Sequence, residues 1–159
     1  MTIRVLCVGK IKESFYREAI AEYTKRLGRY ASVSIIEVED EKTPDKASEK
    51  ESEQIREKEA DRIISRMIQG EYIILLDIGG KKYDSITYAK HLESLTISGN
   101  STITFIIGGS LGVSDKIRSL AKERLSFSDF TFPHQLMRVI LLEQVYRAFR
   151  IMNHEPYHK

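Results

Sequence analysis

Two short stretches of almost continuously apolar sequence constrain the fold most. Tyr72–Ile78 and Thr102–Ile107 are rich in isoleucine and leucine and show no regular alternation of polar and apolar residues. Strands with this composition are usually covered on both faces, as in a parallel sheet flanked by helices. Two further apolar runs, Ile3–Val8 and Val33–Val38, bring the number of predicted strands to four.

Segments with helical periodicity alternate with these strands. Five helices are predicted: Ser14–Leu27, a second from Thr43-Pro44 to Gly70, a third after Asp84-Ser85, a fourth from Ser114, and a fifth over roughly Gln135–Met152. In the third, Ile86, Ala89, Leu92 and Leu95 are expected to face inward. The alternation predicts one α/β domain over residues 1–159, with a mostly parallel sheet and helices on both faces.

Composition excludes several classes of protein. The chain has 159 residues and 42% hydrophobic content, with no apolar run long enough to span a membrane and no signal-peptide pattern at its start. Its single cysteine, Cys7, lies in an apolar run and cannot form an internal disulfide. These features indicate a cytoplasmic protein. The net charge of +2 is too small to indicate nucleic-acid binding by itself.

A glycine-rich turn marks one possible ligand site. Gly108-Gly109 follows a predicted buried strand, and a helix begins shortly afterwards. Open α/β sheets bind ligands at the carboxyl ends of their strands, where glycine allows close approach of the backbone. The turn matches neither a P-loop nor the dinucleotide fingerprint, and a tight structural turn explains it equally well. A second pair, Gly79-Gly80, follows another buried strand and favours one shared site.

The last predicted helix is apolar on nearly all sides. A helix of this kind is buried on more than one side. In a small domain, one side can pack on the sheet and another on a second copy of the chain, so the pattern favours a homodimer. A central helix within a monomer is the alternative.

Three of the four histidines, His134, His154 and His158, lie in or beside this last helix, together with Arg138 and Tyr157. Histidine can transfer a proton near neutral pH, tyrosine can stack on a base, and arginine can hold phosphate. Each histidine alone is more often an ordinary hydrogen-bonding residue, but the group favours a polyanion site. Metal binding is disfavoured, because Pro156 interrupts the spacing between His154 and His158.

Several motifs together resemble one known family. They are Leu76-Asp77-Ile78-Gly79-Gly80-Lys81, Ile106-Ile107-Gly108-Gly109, Phe132-Pro133-His134, Arg138-Val139, Glu143-Gln144-Val145-Tyr146-Arg147-Ala148 and Pro156-Tyr157-His158-Lys159. The whole chain resembles the large-subunit ribosomal RNA pseudouridine N3-methyltransferases, which belong to the SPOUT superfamily. Ser110-Leu111 departs from the residues common after Gly108-Gly109 in that family.

The resemblance implies an α/β fold with a trefoil knot near the C-terminus, acting as a homodimer. It also implies that S-adenosylmethionine is the cofactor, held by backbone loops at Leu76, at Gly108 and at the segment Phe127, Ser128, Asp129, Phe130, Thr131 and Phe132. The implied substrate is a pseudouridine in 23S ribosomal RNA, read on the assembled ribosome. No metal and no membrane are expected.

The implied chemistry assigns roles to four residues. His134 and His158 are candidates for removing the N3 proton, Arg138 for holding a base oxygen or phosphate, and Tyr157 for positioning the base. The tail of one subunit is a candidate to complete the cofactor pocket of the other. The alternatives are a noncatalytic ribosome-binding module, a related methyltransferase acting on transfer RNA, and a hydrolase. The last is disfavoured because paired carboxylates are lacking beside the glycine turns.

Overall fold

A computed structural model describes the whole chain, Met1–Lys159, as five strands alternating with five helices. The elements are β1 (Thr2–Val8), α1 (Ser14–Leu27), β2 (Ser32–Val38), α2 (Glu49–Ile64), β3 (Tyr72–Lys82), α3 (Ser85–Ile97), β4 (Thr102–Ile107), α4 (Asp115–Leu120), β5 (Glu123–Ser126) and α5 (His134–Met152). The α/β fold class predicted from the alternation is confirmed.

All five strands form one parallel sheet in the order β2-β1-β4-β3-β5. The carboxyl ends of the strands therefore share one edge of the sheet, which is where α/β proteins place their ligands. Helices cover both faces, as predicted. The core under α1, α3 and α5 includes Phe105, Leu92 and Leu142, and the core under α2 and α4 includes Leu75, Ile63 and Ile117.

Three boundaries differ from the prediction. Strand β3 extends to Lys82 rather than ending at Ile78, and both ends of α2 are displaced. Helix α2 begins at Glu49 rather than at Thr43-Pro44, because the Ser48 side chain caps it by accepting a 3.1 Å hydrogen bond from the Glu51 amide. Ser48 and Glu51 have the spacing of a capping box, and this cap sets the start of the helix downstream of Pro44. The helix also ends at Ile64, short of Gly70.

Strand β5 was not predicted, since its four residues contain a single apolar side chain, Leu125. It is too short for an alternating pattern to be recognised.

Helix α3 follows its prediction apart from one residue. Asp84 caps it by accepting a 2.7 Å hydrogen bond from the Thr87 amide. Ala89, Leu92 and Leu95 are buried as expected. Ile86 was predicted to face inward, but 46% of its surface is exposed, because it lies in the first turn beyond the edge of the core.

None of the five helices combines the length and apolar character needed to cross a bilayer.

The pairing of β3 with β5 is interrupted by a wide bulge. Leu76 and Lys81 both pair with Leu125, so residues 77–80 are looped out of the ladder. Gly80 lies directly against β5: a Cβ atom there would be 2.7 Å from the carbonyl carbon of Arg124. The bulge therefore depends on glycine at this position, and it opens the carboxyl edge of the sheet beside β4.

Helix α5 packs between α1 and α3 on the sheet. None of its residues is fully exposed, yet several apolar side chains on it are only half-buried, among them Leu136, Val139 and Ile140. The helix is thus apolar on more than one side, as predicted, and some of its apolar side chains lie outside the core of the chain.

Candidate functional site

The main cleft lies where β3, β4 and β5 end. It has a volume of about 770 Å³, within the range typical of small-molecule sites. Three segments form its walls: the end of β3, the glycine turn after β4, and the loop between β5 and α5. The predicted cofactor residues that line it are Leu76, Gly108, Phe127, Ser128, Phe130, Thr131 and Phe132.

Asp129 is the one predicted cofactor residue that does not line the cleft. Its carboxylate is 84% exposed and forms an ion pair with Lys82. The Ser128 hydroxyl accepts a 3.0 Å hydrogen bond from the Phe130 amide, which turns the loop at this point. Asp129 therefore contributes to the loop's outer surface rather than to the cleft.

The glycine turn is packed too closely for side chains. A Cβ atom on Gly108 would be 2.7 Å from Cγ1 of Val113, and one on Gly109 would be 3.1 Å from Oε1 of Glu59. Gly112 has a φ of +81°, which favours glycine. The turn therefore depends on glycine at these positions, and all three glycines line the cleft at the end of β4.

Asp77 is a cleft residue that was not among the predicted site residues. One carboxylate oxygen accepts hydrogen bonds from Arg124 at 3.2 Å and Arg118 at 3.4 Å, and the other accepts one from the Gly79 amide at 3.2 Å. Burial raises the pKa of Asp77, but these hydrogen bonds outweigh burial and hold the pKa below its ordinary value. The charged aspartate thus fixes the bulged loop. The sequence feature that could have indicated Asp77 as a cleft residue is its position as an acidic residue near the end of a buried strand.

His134 is the predicted catalytic residue that lines this cleft. It begins α5, and its Nδ1 atom is buried without a hydrogen-bond partner. Burial and the nearby Arg138 guanidinium lower the pKa of His134, while Asp40 opposes them. The imidazole is therefore neutral at neutral pH and able to accept a proton.

Arg138 lies outside the cleft in a buried position. Only 1% of its surface is exposed. Its guanidinium pairs with Glu37 at 2.7 Å and donates to the carbonyl oxygens of Val8 and Gly9 at 3.2 and 2.7 Å. These bonds tie α5 to the ends of β1 and β2, where the guanidinium is not presented to solvent.

The tail folds back along α5, and neither Tyr157 nor His158 lines the cleft. The Tyr157 hydroxyl donates a 3.0 Å hydrogen bond to Glu143. The Arg147 guanidinium lies 4.7 Å from the centre of the Tyr157 ring, and it is 3.3 Å from Nδ1 of His158. Tyr157 and His158 are thus brought together with each other but not with His134.

A second pocket of about 630 Å³ lies beside the cleft and includes His158. Its other lining residues are Tyr83, Asp84, Ser85, Ile86, Phe127, Phe132, Ile140 and Gln144. Phe127 and Phe132 line both spaces. The two pockets therefore meet at these rings.

Two other kinds of site can be assessed directly. No group of three or more histidine, cysteine, aspartate or glutamate side chains has the arrangement of a metal site. Cys7 is fully buried, and burial raises the pKa of its thiol to about 12. A thiol with such a pKa is not a nucleophile at neutral pH.

The chain is similar to known methyltransferases over its full length. Residues 1–158 match the family model described as "Predicted SPOUT methyltransferase". Proteins named ribosomal RNA large subunit methyltransferase H are 53% identical in Clostridium beijerinckii and 51% identical in Acetivibrio thermocellus, over 159 residues and all of both chains. A Clostridium perfringens protein, ribosomal RNA large subunit methyltransferase H 1, is 54% identical over the same span.

Among solved structures, a probable methylase family protein from Haemophilus influenzae Rd KW20 has a similar fold. The TM-score is 0.55 at 12% sequence identity, and the match covers 99% of this chain and 70% of that one. At this identity, the likeness supports the fold alone.

Proposed function

The chain belongs to the SPOUT methyltransferase family, and from this premise we propose that it methylates N3 of a pseudouridine in large-subunit ribosomal RNA with S-adenosylmethionine as the methyl donor. The cleft at the ends of three parallel strands carries the proposal, since it joins an apolar wall to an exposed glycine backbone. The full-length relatives named as large-subunit ribosomal RNA methyltransferases support the RNA class.

The residues of the cleft fit this methyl donor. Leu76, Phe127 and Phe132 provide apolar surface suited to the adenine ring, and Gly108 adds backbone without a side chain to the lining of the cleft. When bound, S-adenosylmethionine supplies an electrophilic methyl group on its sulfonium. Asp77 and the Arg118 guanidinium add a charged rim to the apolar pocket.

His134 is our candidate for the group that removes the N3 proton. The nitrogen is flanked by two carbonyl groups, so it becomes a good nucleophile only when this proton leaves. His134 lines the cleft, is neutral at neutral pH, and has no hydrogen-bond partner at its buried Nδ1. Its position at the start of α5 keeps it beside the predicted donor site.

Arg138 is better suited to an indirect role than to the predicted contact with RNA. Its buried guanidinium is engaged by Glu37 and by two backbone carbonyl groups. It nevertheless lowers the pKa of His134 through its charge, in addition to the effect of burial. We infer that Arg138 positions α5 and keeps His134 neutral.

We further propose that the enzyme acts as a homodimer in the cytoplasm, where its ribosomal substrate is found. The half-buried apolar side chains Leu136, Val139 and Ile140 on α5 provide a surface for a second copy. Tyr157 and His158 lie outside the cleft of their own chain, which supports the expectation that a partner's tail completes the site. The trefoil knot implied by the resemblance remains a prediction.

Methyl transfer from labelled S-adenosylmethionine to unmodified ribosomes tests the proposal. We expect label in large-subunit RNA at a pseudouridine, with much weaker transfer to naked RNA, because the modest net charge suits a preformed ribosomal surface. Label in transfer RNA would identify the related methyltransferase instead. Binding of S-adenosylmethionine without transfer to any RNA would favour the noncatalytic module.

A further inference from the structure

We propose that the buried carboxylate of Glu59, packed against the glycine turn, makes the cleft select the positively charged methyl donor over the neutral product. This inference rests on the proposed function, because the donor, S-adenosylmethionine, carries a sulfonium, whereas the product, S-adenosylhomocysteine, carries a neutral thioether. Glu59 belongs to α2 and is not among the residues that line the cleft. It therefore acts through the electric field of its charge and not by touching the ligand.

The Glu59 side chain lies directly against the glycine turn. Only 5% of its surface is exposed. A Cβ atom on Gly109 would be 3.1 Å from one carboxylate oxygen and 3.3 Å from the other, so the carboxylate occupies the space that a larger residue would need. Gly109 itself lines the cleft. The negative charge thus adjoins the wall of the space proposed for the donor.

The charge of Glu59 is not neutralised by an ion pair. One carboxylate oxygen accepts a 3.0 Å hydrogen bond from the Glu41 amide. No lysine, arginine or histidine pairs with the carboxylate. Arg62 pairs instead with the side chain of Glu41 and donates to the carbonyl oxygen of Glu39. Buried carboxylates are ordinarily paired or bound by several hydrogen bonds, so Glu59 is able to stabilise a cation beside it.

The residues that line the cleft do not supply this charge themselves. Asp77 is the one carboxylate in the lining, and it is held by Arg118 and Arg124. His134 is neutral at neutral pH, as its lowered pKa requires. Glu59 is therefore the carboxylate beside the cleft that has no cationic side chain as its partner, and a sulfonium in the cleft would provide one.

The surroundings of Glu59 also make its charge responsive to the ligand. Burial raises the pKa of Glu59, and the nearby carboxylates of Asp40 and Glu41 add to this effect, while the hydrogen bond from the Glu41 amide and the charge of Arg62 oppose it. A sulfonium in the cleft would favour the ionised carboxylate. Donor binding and ionisation of Glu59 therefore promote each other, whereas a neutral thioether has no such effect.

Calorimetric binding of the two ligands tests the selection. Glu59→Gln removes the charge at nearly constant shape, and its amide oxygen can still accept the hydrogen bond from Glu41. At pH 8, where carboxyl groups are ionised, we expect this variant to weaken binding of S-adenosylmethionine about fivefold or more and to change that of S-adenosylhomocysteine less than about twofold. The two ligands share their adenosine and amino-acid groups, so a change in the shape of the cleft would weaken both.

Glu53→Gln is the matched control. It removes the same charge from the same helix, but its side chain is exposed, where solvent and salt screen it. We expect it to change the affinity for either ligand less than about twofold.

A measurement on the wild-type protein does not depend on any variant. The carboxyl carbon of Glu59, followed by NMR through a pH titration, reports its ionisation. Saturating S-adenosylmethionine should lower the pKa of Glu59, and saturating S-adenosylhomocysteine should not.

The outcomes separate this inference from the proposed function. Equal weakening of both ligands by Glu59→Gln, an unchanged affinity for S-adenosylmethionine, the same selective loss in Glu53→Gln, or the same pKa of Glu59 in both complexes would overturn the role of Glu59 and leave the proposed function standing. A wild-type protein that binds neither ligand would overturn the proposed methyl donor, and this inference with it.

Discussion

At the residue scale, the proposed chemistry of the cleft rests on His134, a histidine kept neutral by its surroundings. The His134 side chain is partly buried at the start of α5 and lies near the positive charge of Arg138, and both effects lower its pKa. A general base must be unprotonated at working pH to accept a proton. The environment that buries this side chain therefore also keeps it in the protonation state that the proposed role requires.

The first prediction concerns the protonation of His134. Its pKa should lie below the ordinary 6.5, and Asp40→Asn should lower it further by removing the charge that opposes the shift. The midpoint of the His134 ring proton shifts in an NMR pH titration gives this pKa. Asp115→Asn, which removes a fully exposed carboxylate on α4, is the control and should leave the midpoint unchanged.

The lowered pKa also fixes how His134 affects stability. Above pH 6.5 the imidazole is neutral in both the folded and the unfolded chain, so the free energy of unfolding is unaffected. As the pH falls below 6.5, the unfolded chain takes up the proton first, and stability decreases. A His134 midpoint above 6.5 would contradict both the lowered pKa and this dependence.

The second prediction concerns Arg138. Arg138→Met should lower the free energy of unfolding by about 3 kcal/mol, because Glu37 and two carbonyl groups lose a buried partner. Urea denaturation measures the change. Arg26→Met removes an exposed pair with Glu22 and should change stability by less than about 1 kcal/mol. Equal effects of the two variants would show that Arg138 is not a structural anchor.

Sequence alone nominated candidate residues for the site but did not show which of them lie together. The cofactor segment was placed by resemblance, and all but Asp129 line the cleft. The histidines and Arg138 were grouped because they are close in sequence. Their separation follows from α5, which directs His134 into the cleft and Arg138 toward β1 and β2. Neighbours on a helix point in different directions, and only the packing shows which one meets the ligand.

At the scale of elements, the bulge between β3 and β5 shapes the cleft. The looped-out residues 77–80 bring Asp77 into the cleft wall, while Gly80 allows β5 to lie close beside β3. The long apolar runs made β3 and β4 predictable. Strand β5 was not predicted, because its extended conformation depends on pairing with β3 and its own composition does not indicate a strand.

The third prediction tests this close approach. Gly80→Ala should destabilise the protein by at least about 2 kcal/mol, because its Cβ atom would meet the β5 backbone at 2.7 Å. Gly79→Ala is a matched control, since its Cβ atom would find its nearest neighbours at an ordinary 3.9 Å. Thermal unfolding compares the two variants. Similar melting temperatures for both would indicate that β5 can move away without cost.

At the scale of the whole molecule, α5 connects the predicted functions. Its first residue lines the cleft, its outer apolar residues are half-buried, and its second half holds the tail through Glu143 and Arg147. Catalysis and self-association are therefore expected to depend on the same helix. Self-association stays a prediction based on the apolar surface of α5, because a single chain does not show its partner.

The fourth prediction separates these roles. Val139→Glu places a charge on the half-buried face of α5 and should convert the proposed homodimer to a monomer with little methyl transfer to ribosomes. Sedimentation velocity measures the mass of the particle in solution. Ile97→Glu adds the same charge at an 80% exposed position and should remain dimeric and active. Full activity in a monomeric Val139→Glu variant would contradict the shared site.

The all-parallel sheet also determines when in folding the cleft comes into existence. Parallel neighbours cannot be joined by tight hairpins, so each strand pair forms only after a long crossover has closed. The cleft draws on the ends of β3, β4 and β5 at once and is absent until the sheet is complete. A ligand that fills it therefore binds the native state alone, and at a hundred times its Kd would add about 2.7 kcal/mol to the stability of the entire chain.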